Sequence, residues 1–239
     1  MKCNVNKILC KVIAILIIII VFSACATINN KENLMLKEIK LNTQIPLKIN
    51  GYYYYENEVI DYLVKNPNTS GGVTPDYKTE YNRKTINIMV FYKNGYVYNS
   101  DMLLICGEIP NEITDIEQIS QYNTYEKAKR EYEQSPNSYC YGFTGGKRDI
   151  WNWGVFKIEN QKIKIQYYRN ILGDYFLVEM VGSIINDTTF LISNEKLYGN
   201  MYINGYQKEI NKKYYFSELS NKPDSANYIL KNPDKFINN

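Results

Sequence analysis

The chain has 239 residues, a formal net charge of +3 and a mean hydropathy of −0.40, enough for one domain with a substantial core. It contains no histidine, which excludes Ser-His-Asp and Cys-His nucleophile systems and the common His-containing zinc sites. No basic stripe is interleaved with aromatics, so nucleic acid is not an expected partner.

The first stretch carries an address. Lys2, Lys7 and Lys11 precede a wholly apolar run from Val12 to Phe22, and small residues Ser23 and Ala24 stand before Cys25. This is the layout of an export signal, and the run is about half of the roughly 20 residues a membrane-spanning helix needs. Removing 24 of the 239 residues also removes three Lys and no acid, so 28 basic and 25 acidic side chains become 25 of each. The sequence pI near 8.4 therefore reflects the leader and not the folded part. Residues 25–45 are polar and read as a tether, which if flexible spans about 25 Å root-mean-square. Within it, Leu34 to Leu41 suits a short helical turn or a first strand. Ala26 and Thr27 select no membrane leaflet.

The folded part, residues 46–239, opens with Gly51-Tyr52-Tyr53-Tyr54-Tyr55, residues that suit a pleated, half-buried surface. Residues 66–81 have the Pro, Gly, Ser and Asn density of a loop. Ile86, Ile88, Val90 and Tyr92 then alternate with Asn87, Met89, Phe91 and Lys93 up to Asn94-Gly95, predicting a hairpin with Tyr96 to Asn99. The period changes between 112 and 135. Thr114-Asp115-Ile116-Glu117 and Asn123-Thr124-Tyr125-Glu126 both have the form of a capping box, and they predict one helical insertion whose charged face suits a solvated cover over one end of a sheet. Thr144-Gly145-Gly146-Lys147 lacks the spacing of a phosphate loop and reads as a turn.

From Trp151 onward the pattern is strand after strand. Phe156 and Ile158 oppose Lys157, and after Asn160-Gln161 the residues Ile163, Ile165 and Tyr167 face inward if Lys162, Lys164 and Gln166 are to reach water. Phe176, Val178 and Met180 repeat the pattern, Asn186-Asp187 marks a turn, and Phe190 and Ile192 begin another inward row. Leu197, Gly199, Met201 and Ile203 predict a strand ended by Asn204-Gly205, and a last strand is expected at Tyr214 to Glu218. The expected fold is mainly β, an antiparallel meander of about eight or nine strands. Closing into a barrel hides both the apolar face and the edges, and the short joints favour it over a sandwich.

The tetrad Phe22-Ser23-Ala24-Cys25 resembles the bacterial lipobox, with Phe22 in place of the usual Leu. That resemblance implies a diacylglyceryl group on the Cys25 sulfur, cleavage before it, and acylation, for instance by palmitate, of the new amino terminus. The competing readings are an uncleaved anchor and ordinary cleavage beside an incidental Cys. Further motifs follow in order: Gly51-Tyr52-Tyr53, Phe91 to Gly95, Trp153 to Phe156 with Ile163 to Ile165, Gly182 to Phe190, and Lys222-Pro223-Asp224-Ser225. In that order they look like a group of small, uncharacterised bacterial envelope lipoproteins. Their plan is similar to lipocalin-like (calycin-like) β-barrels, which implies a cup able to hold a small apolar ligand. In this chain Trp151 and Trp153 come late, where a lipocalin has its Gly-x-Trp near the first strand.

Cys106 and Cys140 remain inside the folded part once Cys3, Cys10 and Cys25 are accounted for. Outside the cytoplasm they can form a disulfide, and the alternative is two inert buried thiols. Trp151, Trp153, Tyr53, Tyr55, Tyr92 and Tyr167 are candidate contacts for a sugar ring or lipid at the rim of a cup, against core packing as the alternative. No catalytic residues, metal ligands or cofactors are implied, and nothing sets an oligomeric state. Three functions follow: a membrane-anchored, non-enzymatic protein binding a small apolar molecule, lipid or glycan; a structural or protein-interaction module of an envelope assembly; and a His-free hydrolase using carboxylates.

Overall fold

The computed structural model describes residues 27–38, 45–64, 78–101, 105–109, 113, 116–136 and 150–236. Cys25, Cys140 and the turn at 144–147 lie outside them. Among the described residues there are eight strands: β1 Gly51–Val64, β2 Lys78–Phe91, β3 Tyr96–Asn99, β4 Trp153–Glu159, β5 Lys162–Ile171, β6 Asp174–Asn186, β7 Thr189–Leu197 and β8 Tyr206–Glu218. Each pairs antiparallel with its neighbour in chain order, and β8 returns to β1. The expected meander thus closes as an eight-stranded barrel, and no sandwich forms.

Two expected joints differ in detail. At Asn94-Gly95 only Gly95 takes a positive φ, 80°, so the hairpin turns through a longer loop in which Tyr92 N donates to Tyr96 O and Gly95 N to Tyr92 O. Asn160 and Gln161, by contrast, both lie in the left-handed region, φ 49° and 62°, and make the tight turn between β4 and β5. The predicted strand at Leu197 to Ile203 is not one: β7 ends at Leu197, and Asn200 holds a loop by accepting from Tyr202 N at 2.8 Å and Ile203 N at 2.9 Å through its side chain. Strand β8 instead starts at Tyr206, eight residues before its expected start, and β2 begins at Lys78, inside the stretch expected as loop.

The chain builds two cores, one on each side of the sheet. Inside the barrel, Tyr53, Phe91, Phe156, Phe190 and Tyr214 form a ring cluster with Ile163, Ile165, Val178, Met180 and Ile192. Phe91 on β2 meets Phe156 on β4 at 4.8 Å and Phe190 on β7 at 5.6 Å, and Phe190 stacks on Tyr214 at 4.9 Å. Rings from strands on opposite walls in contact fill the lumen at that level, as an eight-stranded barrel allows. Leu47, buried before β1, closes this end, where Lys48 N donates to Asp187 O and Lys222 Nζ donates to Ile49 O and Phe91 O.

Outside the barrel, Ile86, Ile88 and Val90 of β2, Tyr98 of β3, Trp153 and Val155 of β4 and Tyr168 of β5 are also buried. The covers are helix α2 (Tyr125–Gln134), which follows the single turn α1 (Ile116–Ile119), helix α3 (Tyr228–Lys231) with Phe236, and Leu34 and Met35 from the start of the chain. Helix α2 turns Ala128 and Tyr132 inward, Tyr132 meeting Tyr52 at 4.8 Å. Its cap is Thr124, accepting from Lys127 N at 3.2 Å, one residue later than predicted. Asn123 instead uses its amide as a strand would, accepting from Lys84 N at 2.7 Å and donating to Asn82 O at 2.6 Å along the β2 edge. Gln166, expected to reach water, is buried because Met35 N donates to its carbonyl at 2.7 Å.

Because Phe91 touches rings from two other walls, Phe91→Ala should empty a space its neighbours cannot refill. The expected loss is about 3–5 kcal/mol, measured by equilibrium urea unfolding against the wild type.

Candidate functional site

The far end of the lumen is polar. Register places Arg169 of β5 opposite Phe176, and Glu195 of β7 opposite Met180 and Lys208, so these side chains share the inner face with the ring cluster. Tyr206 pairs with Leu197 and also points inward. Asp101 arrives from the segment after β3, where it has a φ of 35°.

Arg169 gathers these groups. Its guanidinium makes a bidentate pair with Asp101, through Nε to Oδ2 and through NH2 to Oδ1 at 2.9 Å. NH1 donates to the Tyr206 hydroxyl at 2.7 Å and NH2 to the Tyr167 hydroxyl at 3.1 Å. Glu195 Oε1 lies 3.6 Å from NH2, accepts from Tyr206 OH at 2.5 Å and pairs with Lys208 Nζ at 3.1 Å. The other oxygen, Oε2, is buried and has no hydrogen-bond partner among the described residues, on a side chain only 1% exposed. Lys208, half-exposed, marks the rim, and Lys212 stands over Tyr55 at 5.7 Å just below.

Burial pushes the Glu195 carboxyl up, but the Tyr206 hydrogen bond and the charges of Arg169, Lys212 and Lys208 outweigh it and hold the group below the usual glutamate value. The Tyr167 hydroxyl is driven well above its ordinary value, first by burial and then by Asp101. Every described carboxylate whose pKa moves, Asp61, Glu179 and Glu195, moves down. None of these three supplies the raised-pKa acid that glycoside hydrolysis needs. Among the described residues no group of three or more Cys, Asp or Glu is placed to hold a metal ion.

Of the six aromatic candidates, Tyr167 and Tyr55 stand at this polar end, Tyr167 fully buried and Tyr55 half-buried with its ring 5.8 Å from Tyr214. Tyr53 is at the closed end, its hydroxyl donating to Asp187 O at 2.7 Å. Trp153 and Tyr92 stack at 5.8 Å on the outside of the wall, and Trp151 forms a bridge with Tyr168 there. Cys106 is half-buried near Arg83, and its expected partner Cys140 lies outside the described residues. Arg169, Asp101, Glu195, Tyr206 and Lys208 were not singled out by the sequence. The only available signal was Arg169, where a charge falls on the inward parity of Ile163, Ile165 and Tyr167.

Comparison with known proteins supplies no relative: no protein-family model, no curated protein and no solved structure matches the chain.

Removing Arg169 would leave the Glu195 carboxylate without its central cation. Arg169→Met should cost about 3–5 kcal/mol at pH 7. In the wild type, Glu195 has a lowered folded pKa, so its contribution is present above the unfolded value of about 4.3 and is lost as pH falls through the folded pKa. The gap between wild type and Arg169→Met should therefore narrow below about pH 4, as read from urea midpoints across a pH series.

Proposed function

We propose that this chain is a bacterial envelope lipoprotein, fastened to a membrane through Cys25, whose barrel is a binding module and not an enzyme. Its mouth takes a small polar ligand that brings a hydroxyl or ammonium donor to Glu195. The anchor rests on the basic, apolar and small-residue order ending at Cys25. The binding reading rests on one observation, the buried Oε2 of Glu195, which has no partner among the described residues. A buried charged acceptor left unsatisfied is costly, so Oε2 calls for a donor, either an ordered water or a ligand group admitted beside the half-exposed Lys208. The ring-filled lower lumen favours a glycan unit or a polar headgroup over a wholly apolar molecule.

A second reading, a structural or interaction module, draws on the four hydrogen bonds that the Arg169 guanidinium donates. With Asp101, Tyr167, Tyr206 and Glu195 around it, this group ties β5, β7, β8 and the segment after β3 together whether or not a ligand comes. The two readings part at Glu195.

Native mass spectrometry of the full chain, extracted from membranes in mild detergent, separates them. A small-molecule adduct is expected on the wild type and is expected to be lost in Glu195→Gln. A wild type free of adduct, or an adduct kept by the variant, would sink the binding reading. Cys25→Ser should lose the lipid mass and move from the membrane to the soluble fraction.

A further inference from the structure

The start of the described chain is stitched to the polar end of the barrel. Thr27 N donates to Asp174 Oδ1 at 2.7 Å, Tyr175 N donates to Thr27 O at 2.8 Å, and Asn29 N donates to Tyr175 O at 2.8 Å. Asn30 Nδ2 donates to Gly199 O at 3.3 Å, and Asn200 Nδ2 donates to Asn29 Oδ1 at 3.1 Å. Residues 27–30 therefore join the β5–β6 turn to the β7–β8 loop. Residues 27–30, expected as part of a tether, are thus held to the barrel.

Those two connections display the three most exposed large hydrophobic side chains among the described residues: Leu172 at 94%, Met201 at 84% and Tyr202 at 83%. Leu172 also sits at φ 55°, a left-handed conformation that disfavours a side chain such as leucine. Met201 and Tyr202 are held out by the Asn200 side chain, which caps the loop through Tyr202 N and Ile203 N. The turns at the closed end carry Asn94-Gly95, Asn160-Gln161 and Asn186-Asp187 at their tips, with Ile185 beside the last of them 55% exposed. The three most exposed apolar side chains occur at the end where the chain enters.

We infer that this end of the barrel is seated in the interfacial layer of the membrane, with Leu172, Met201 and Tyr202 entering it beside the lipid on Cys25. The inference rests on the anchor reading above. One residue, Ala26, separates Cys25 from Thr27, a reach of about 7 Å at full extension, so an acylated Cys25 cannot carry the bilayer surface far from Asp174 and Asn200. A tyrosine with an apolar neighbour suits the boundary between headgroups and acyl chains. The seating turns the Arg169–Glu195 mouth toward the headgroup layer, so donors on lipid headgroups lie within its reach.

The test uses the full lipidated chain in phosphatidylethanolamine–phosphatidylglycerol vesicles with a trace of phosphatidylcholine carrying an acyl-chain diazirine. After irradiation, cross-linked peptides are mapped by mass spectrometry, and the intact mass reports the lipid on Cys25. Cross-links are expected at Leu172, Met201 and Tyr202 and not at residues 160–161 or 186–188. The triple variant Leu172→Asp, Met201→Asp, Tyr202→Asp, at exposed positions that leave both cores intact, should keep the Cys25 lipid and lose the cross-links. A lipidated protein whose cross-links avoid these loops, or fall equally on the closed end, overturns the seating and leaves the anchor standing. A protein without the lipid mass overturns both.

Discussion

Everything in this molecule depends on β1 closing against β8, and that seam is short. It runs only from Gly51 opposite Glu218 to Tyr54 opposite Tyr215. At Gly51 the two backbones come so close that a Cβ would lie 2.0 Å from Ser217 O, so the residue that opens β1 has to be glycine. Beyond Tyr55 the strand leaves β8 and continues only with β2. An unclosed sheet would expose two edges and its inner rings together, and four residue pairs prevent both.

Closure then fixes what the interior can be. Eight strands leave a lumen about as wide as the side chains that line it. Here the closed half is spent on rings, with Phe91, Phe190 and Tyr53 in mutual contact. The other half holds charge. Arg169 in that setting is tolerable because Asp101 and two hydroxyls occupy its donors, and Asp101 is delivered there by a buried polar knot at the start of the β3–β4 excursion. In that knot Ser100 Oγ accepts from Ile88 N, Asn99 N donates to Asn152 O and Asn152 Nδ2 donates to Ser100 O. A long excursion is thus pinned at both of its ends, and the pin sets the position of the charge.

The second core explains where the rest of the chain goes. The outward side chains of β2 to β5, among them Ile86, Ile88, Val90, Tyr98, Val155 and Tyr168, are apolar or aromatic, and α2, α3 and the segment 27–38 are laid over them. That draws the entry of the chain to the polar end through Met35 and Gln166 and through Asn29 and Tyr175. The start of the described chain, the exposed loop tips and the Arg169–Glu195 cluster come to one end because the outer core needs its cover.

Strand parity was legible in the sequence, because facing alternates residue by residue and needs no knowledge of partners. Ile163, Ile165 and Tyr167 were placed inside by Lys162 and Lys164 alone, and the run of short joints was enough for a closed meander. The period misled where polar and apolar residues alternate in a loop, as at Leu197 to Ile203. The site lay further out of reach. Asp101 and Arg169 are 68 residues apart and Arg169 and Tyr206 are 37 apart, and such groups meet only across a lumen. Local chemistry by itself determined which runs of the chain alternate as strands. Tertiary structure alone decided which inward residues touch, since that depends on how the sheet curves and where it shuts, and neither is written in any one strand.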